Sequence, residues 1–443
     1  MHQPMKGVRI LEVAQFTFVP AAAAVLADWG AEVIKVEHAV TGDGQRGLVR
    51  LQGLDLIGDS PSFFPAVEGP NRGKRSIGLA LDKPGAKVVL EELIRRSDVF
   101  LTNYLPAQRR KLGIDVGDVR KVNPDIIYVR GSGFGAQGDE ADKGGYDATG
   151  FWARAGSAAH ITPAGYDRML GMPAGAYGDS IGGMTIAGGI SAALFARERT
   201  GETSIVDASL LSVGAWAMQF AVNLALVAGG PLPPPPVPRH GAATNPLFGF
   251  YATADGRWIM LCMLQPGRYW PEFCEVTGRP ELAADERFNS PEKIMKNAAP
   301  AAELVAEILL SRTYDQWIRA FDGMRGQWAA VQNAYEVGQD KGLRANGFIG
   351  QVTDAQGVTR ELVAAPVQFD QTPAQLRRAP QFAEHTDEIL REIGLDDEKI
   401  ISLKNRRRSH LACGRTAPRA PVTRRIRNLG PICPTRHASV AWR

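Results

Sequence analysis

An α/β fold with a mostly parallel sheet, joined to a smaller α+β unit, is predicted by three observations. Apolar runs of strand length alternate with helical segments through the first half of the chain; a proline-rich joint then interrupts them; hairpin signals follow it. At 443 residues the chain has length for two or three domains and can bury a core without disulfide or metal staples. Its 44% hydrophobic and 22% charged residues exclude both a disordered chain and a multispanning membrane protein.

The elements follow in order. VRILEVA (8–14) is an apolar strand, VPAAAAVLADWG (19–30) an Ala-rich helix stopped by Gly30, and AEVIKVE (31–37) a second strand, which together make a βαβ unit. The pattern returns with RSIGLAL (75–81), a helix from Pro84 to Ser97, and the strands DVFLTNY (98–104) and DIIYVRGSG (125–133). Asp82 is the expected N-cap of that helix, and Pro84 suits its first turn. A Gly-rich stretch (131–150) precedes a helix that should begin near Ser180. From Ala208 to Gly230 no residue is charged, long enough to span a bilayer. It holds Ser209, Ser212, Gln219 and Asn223 and lacks flanking basic residues, so a helix buried in a core or a subunit interface is expected.

PLPPPPVPRHG (231–241) holds six prolines and reads as a semi-rigid linker. The expected layout is therefore a large domain over 1–230, the linker, a small domain over 242–335, a return to the large domain over 336–405 and a tail over 406–443. Hairpins are expected around Asp255-Gly256 and Gly357, helices over 301–311 and 314–324, and a last helix over 385–394.

Charge is unevenly placed. The tail carries ten arginines and no Asp or Glu; without them 41 basic residues face 47 acidic ones, so the net charge of +4 becomes −6 for residues 1–405. The tail lacks helical and alternating periodicity and is expected to be disordered; its sharper reading, a nucleic-acid arm, wants a binding motif or interleaved aromatics that it lacks. The four cysteines form no CxxC pair, which fits a reducing cytoplasm, and MHQPMKGVRILEV has no apolar signal-peptide stretch.

Most catalytic signatures are missing or out of context. GFGAQG (133–138) matches GxGxxG by letter without a helix-forming continuation, and GDSIG (178–182) matches GxSxG around Ser180 without a preceding strand. The seven histidines form no i, i+4 pair, so no metal site is expected. The best candidate nucleophile or base is Asp179, placed at or near the N-cap of an uncharged helix, where amides and the dipole would favour its ionised form. A plain structural cap reads the same way. However, Gly182, Gly183, Gly188 and Gly189 each cost a helix about 1 kcal/mol relative to Ala, so a ligand or another helix should approach that bare backbone. The Gly-rich stretch could present amides at the carboxyl end of the sheet, and Arg46, Arg72, Lys74, Arg75 and Lys111 could hold phosphates or simply face water.

An ordered series of motifs then carries a resemblance. GVRILEVAQFTFVPAAAAVLADWGAEVIKVE, GDGQRG, NRGKRSIGLAL, TNYLPAQRRKLGID, NPDIIYVRGSGFGAQG, GGYDATG, GDSIGGM, RTGETSIVDASLL, NPLFGFYATADGRWI and EHTDEILREIG span nearly all of residues 7–394. Together they resemble the class III CoA-transferases of the formyl-CoA transferase, CaiB/BaiF type. The resemblance implies a Rossmann-like large domain built from both chain ends, a small inserted domain, and two subunits interlocked as threaded rings. It implies Asp179 as the catalytic aspartate and CoA-contacting positions at Lys74, Arg75, Asn103, Tyr104 and Lys111, with Tyr146 near the thioester. Coenzyme A thioester is then a substrate, no permanent cofactor or metal is required, and neither nucleic acid nor membrane is an expected partner. Three departures stand out. Thr17 replaces an active-site glutamine, His38 replaces a frequent arginine, and Tyr146 stands where the related α-methylacyl-CoA racemases, the alternative reading, carry a histidine. With a pKa of about 10, tyrosine is a poor second base for a racemase.

Overall fold

The computed structural model of the protein describes residues 3–51, 54–55, 63–235 and 243–405; the last two prolines of the linker and the arginine-rich tail lie outside them. Six strands form the central sheet: β1 (Arg9–Val13), β2 (Glu32–His38), β3 (Arg75–Leu79), β4 (Val99–Thr102), β5 (Ile127–Ser132) and β6 (Ile205–Ser209). Their order is β3-β2-β1-β4-β5-β6 and every pairing is parallel. This order is common to doubly wound α/β sheets and reverses direction between β1 and β4, where a crevice opens at the carboxyl ends of the strands.

Both sheet faces are covered, which is why the strands read as continuous apolar runs rather than alternating ones. Ile10, Val33, Leu101 and Val129 face the first helix (Phe18–Asp28) and the long helix Tyr177–Thr200. Leu11, Val36, Ile77, Phe100 and Tyr128 face the helix Pro84–Arg95 and, from the far end of the chain, Ile389 and Leu390. The return of the chain is anchored to β3, since the His385 amide donates to the Ser76 carbonyl (2.9 Å) and the Gly78 amide to Thr386 Oγ1 (3.2 Å). Beyond the linker, β7 (Phe248–Ala252), β8 (Trp258–Cys262) and β9 (Trp328–Ala330) form an antiparallel sheet packed on helices, with Trp270, Phe273 and Trp317 fully buried. The expected hairpins turn at Gly256 (φ 73°) and Gly357 (φ 83°), in the left-handed region glycine tolerates.

Three expectations need correction. Lys83, not Asp82, is the N-cap of Pro84–Arg95, and it makes no side-chain cap. The long helix begins at Tyr177 rather than near Ser180, behind Ala176 in a left-handed conformation (φ 59°). The uncharged stretch 208–230 is not one buried helix: after the end of β6 it forms Leu210–Ala217 and Gln219–Ala228, bent by 76° at Met218, and the second of these buries no residue in this chain. Tyr177–Thr200 is long and apolar enough to cross a membrane, yet it lies against the sheet and the first helix.

Three of the four glycines singled out in that helix, Gly182, Gly183 and Gly189, now have causes. A Cβ on Gly182 would stand 2.2 Å from the Phe18 ring, and one on Gly183 2.5 Å from the Ala21 Cβ, so the first helix is the neighbour that requires a bare backbone. Gly189 meets Val206 at 3.0 Å, whereas Gly188 faces open space.

Candidate active site

At the crevice between β1 and β4, local hydrogen bonds tie together the segments that leave the two strands. Asn103, just past β4, clamps the chain after β1: the Gln15 amide donates to Asn103 Oδ1 (3.0 Å), and Asn103 Nδ2 donates to the Gln15 carbonyl (2.7 Å). Gln15 Nε2 in turn donates to the Tyr104 hydroxyl (2.9 Å). Around this clamp lie two cavities. One of about 490 Å³ is lined by Gln15, Phe16, Asn103, Tyr104, the glycines ending β5, Tyr146 and Asp179. The other, about 390 Å³, is lined by His38, Thr41, Leu81, Asp82 and Lys111 and shares Gln15, Tyr104 and Gln108 with the first. The two cavities therefore adjoin at Gln15, Tyr104 and Gln108.

Asp179 is the third residue of the long helix, not its N-cap. Burial pushes its carboxyl up to about 7, and the nearby charge of Asp147 pushes the same way. The sequence-based expectation of a stabilised anion is therefore reversed: desolvation outweighs the helix dipole. Asp147 accepts from the Ala148 amide (2.8 Å), while its Oδ2 is buried with no hydrogen-bond partner among the described residues. Its own carboxyl is also raised, chiefly by burial. Two neighbouring carboxyls that resist ionisation are a recurrent feature of acid, base and nucleophile sites.

Glycine is required in the loop beside them. A Cβ on Gly133 would meet Gly145 backbone at 2.8 Å, and one on Gly145 would meet Gly133 at 2.9 Å, so the loop folds directly onto the end of β5. Tyr146 is exposed, and its ring meets Phe16 edge-on at 5.8 Å between centroids.

The structure thus brings Asn103, Tyr104, Tyr146 and Asp179 to one cavity and His38 and Lys111 to the adjoining one. Thr17, Lys74 and Arg75 line neither. Thr17 is buried at the start of the first helix. Lys74 is wholly buried, with Nζ 2.5 Å from Glu12 Oε2 and donating to the Pro20 carbonyl at 2.9 Å. Arg75 points to the opposite end of β3, where it pairs with Glu32, Glu388 and Glu392. Ser180 sits inside a helix rather than on a strand-to-helix elbow. Gln15, Phe16, Gln108 and Asp147 escape sequence reasoning; the only local cue is Asp147, adjacent to Tyr146 in GGYD. Among the described residues no cluster of His, Cys, Asp or Glu could hold a metal ion.

Comparison with known proteins identifies the family. The model of the family described as CoA-transferase family III matches residues 5–386. The chain is 29% identical to the (R)-2-hydroxy-4-methylpentanoate CoA-transferase of Clostridioides difficile, over 90% of this chain and 98% of that protein. It is 30% identical to the formyl-CoA:oxalate CoA-transferase of Streptomyces avermitilis, over 91% and 99%. Among solved structures, Rv3272 from Mycobacterium tuberculosis superposes with a TM-score of 0.71 at 26% identity, covering 88% of this chain and 99% of that one. A CAIB/BAIF family protein from Brucella suis shares the fold, with a TM-score of 0.74 at 24% identity over 89% and 100%.

Proposed function

The chain belongs to CoA-transferase family III, and from that premise we propose that it moves coenzyme A from an acyl-CoA thioester to a carboxylic acid, with Asp179 as the covalent nucleophile. The observation that carries this reading is the position of Asp179. It lies in the cavity at the carboxyl ends of the strands, which adjoins, across Gln15, Tyr104 and Gln108, the cavity lined by His38 and Lys111. Lys111 and His38 offer donors to the phosphates of the CoA nucleotide, and the adjoining cavities lead the thioester to the carboxyl.

A carboxylate oxygen of Asp179 attacks the thioester carbonyl; the C–S bond breaks and CoA leaves as thiolate, giving a mixed anhydride. The thiolate attacks the aspartyl carbonyl and releases the donor acid as its carboxylate, leaving an aspartyl-CoA thioester. The acceptor carboxylate repeats the two exchanges in reverse, taking CoA and restoring the Asp179 carboxylate. Partial burial suits this cycle. A carboxyl with a pKa of about 7 is more basic, and so more nucleophilic, than an ordinary one, while the anhydride and thioester carry no charge to bury. Arg109 and Arg130, which also line the cavity, are already engaged with Asp115 and Asp207 and serve the walls.

The working unit in this reading is a homodimer in the cytoplasm. Trp216, Phe220 and Val227 are 68%, 84% and 87% exposed on the bent helices of the uncharged stretch, an apolar surface that a second copy would cover. The racemase alternative gains nothing from the relatives above, which are named as CoA-transferases. Hydroxylamine or borohydride added during turnover is the direct test. It should modify the tryptic peptide 169–197, which contains Asp179, and only when acyl-CoA is present. Loss of activity without an adduct, together with exchange of the α-proton, would favour a proton-transfer role instead.

A further inference from the structure

Phe16 is one of five non-glycine residues with positive φ among the described residues, at 64°, a conformation that persists only where surrounding structure holds it. The holding structure here is a chain of buried charges beneath the turn. The Phe16 amide donates to Asp43 Oδ1 (3.0 Å), and Asp43 Oδ2 stands 2.8 Å from Lys35 Nζ. Lys35 Nζ also reaches Glu12 Oε1 (2.7 Å) and the Ala14 carbonyl (3.0 Å). Lys74 closes the chain by binding the other oxygen of Glu12 and the Pro20 carbonyl, so the backbone is tied on both sides of the turn. All four ionisable side chains are at most 2% exposed. Above the turn, the Phe16 ring lies over Gly44, whose absent Cβ would come within 2.9 Å of its tip, and meets Tyr146 edge-on in the cavity that holds Asp179.

Buried charge that ties the backbone before, at and after a strained residue beside the cavity wants a reason at the site. We propose that the Phe16 ring sets the position of the acyl group against Asp179, and that the Lys74–Glu12–Lys35–Asp43 chain acts as its positioning device. The inference rests on the CoA-transfer reading. It gives Lys74 a role in catalysis without contact to CoA, and it makes Phe16, together with Tyr146, the wall against which acyl size and shape are discriminated.

Phe16→Gly is the informative variant, because glycine accepts the left-handed backbone freely and only the ring is lost. Covalent labelling of Asp179 by acetyl-CoA in a single turnover should slow by about a hundredfold, the cost of a small misplacement at a reacting centre, while binding of free CoA changes by less than about twofold, a spread small beside that effect. The loss should shrink for a bulky aryl-acetyl-CoA, whose own ring fills the space, and Phe16→Leu should recover most of the acetyl rate. Asp43→Asn should slow labelling as well, and combined with Phe16→Gly it should add nothing further, since both act through the same ring. Equal labelling rates in Phe16→Gly and the unmodified enzyme for every acyl size, or strictly additive losses in the double variant, would overturn the proposal. Failure of the unmodified enzyme to be labelled by any acyl-CoA would overturn the CoA-transfer reading beneath it.

Discussion

Replacing Asp179 by Asn should make the protein more stable and abolish its activity, with a pH signature that ties both effects to one carboxyl. Burial, assisted by Asp147, raises this group from 3.8 to about 7. In that interval the folded state holds a proton that the unfolded chain has released, so the stability contributed by the neutral carboxyl is present below about pH 4 and is lost as pH rises through about 7. The full displacement corresponds to about 4 kcal/mol at alkaline pH, and because solvent reaches part of the side chain the expected gain on removing the charge is about 2–3 kcal/mol. Asp179→Asn should thus match the unmodified protein in denaturant unfolding near pH 4 and exceed it progressively up to pH 8. CoA transfer should fall by at least about a thousandfold, because the amide cannot form the anhydride. In the unmodified enzyme, turnover with saturating substrate should rise with pH through about 7 as the nucleophile ionises. A stability difference that is constant with pH, or a variant less stable at pH 8 than the parent, would refute the burial argument. Transfer that survives in the purified variant would refute the nucleophile.

Five further variants have expected outcomes. Lys74→Met should destabilise the fold by about 3 kcal/mol, since it leaves Glu12 with Lys35 alone, whereas Lys111→Ala should raise KM for acyl-CoA several-fold at unchanged kcat; thermal melts and initial rates separate the two. Gly183→Ala should cost about 2 kcal/mol because its Cβ would stand 2.5 Å from Ala21, and Gly188→Ala, which meets nothing within 4 Å, should instead stabilise by up to about 1 kcal/mol; paired urea titrations check both. Sedimentation should show a dimer that Phe220→Glu weakens, and a monomeric parent protein would remove the proposed interface.

Much of this architecture was legible in the residues themselves. VRILEVA, AEVIKVE and DIIYVRGSG are strands because β-branched and apolar residues run without alternation, and a sheet covered on both faces wants such runs. Asp179 stood out because a carboxylate opens an apolar helix rich in costly glycines, and the motif order around it carried the family. These are local signals, set by chain periodicity and backbone freedom. Other features depended on which groups meet across long separations. Lys74 reads as a phosphate ligand beside Arg75, yet Glu12, 62 positions away, draws it into the interior. Asp179 reads as a stabilised anion, but burial and Asp147 reverse the sign of its shift. The single uncharged stretch 208–230 breaks at Met218 into two helices, and the second, Gln219–Ala228, finds no cover in this chain. Nothing near Phe16 in the sequence announces its strain, because the strain is sustained by Asp43 from another loop. Periodicity can specify which face of an element is apolar. Desolvation and ion pairing depend on the distances between elements, and only the tertiary structure sets those.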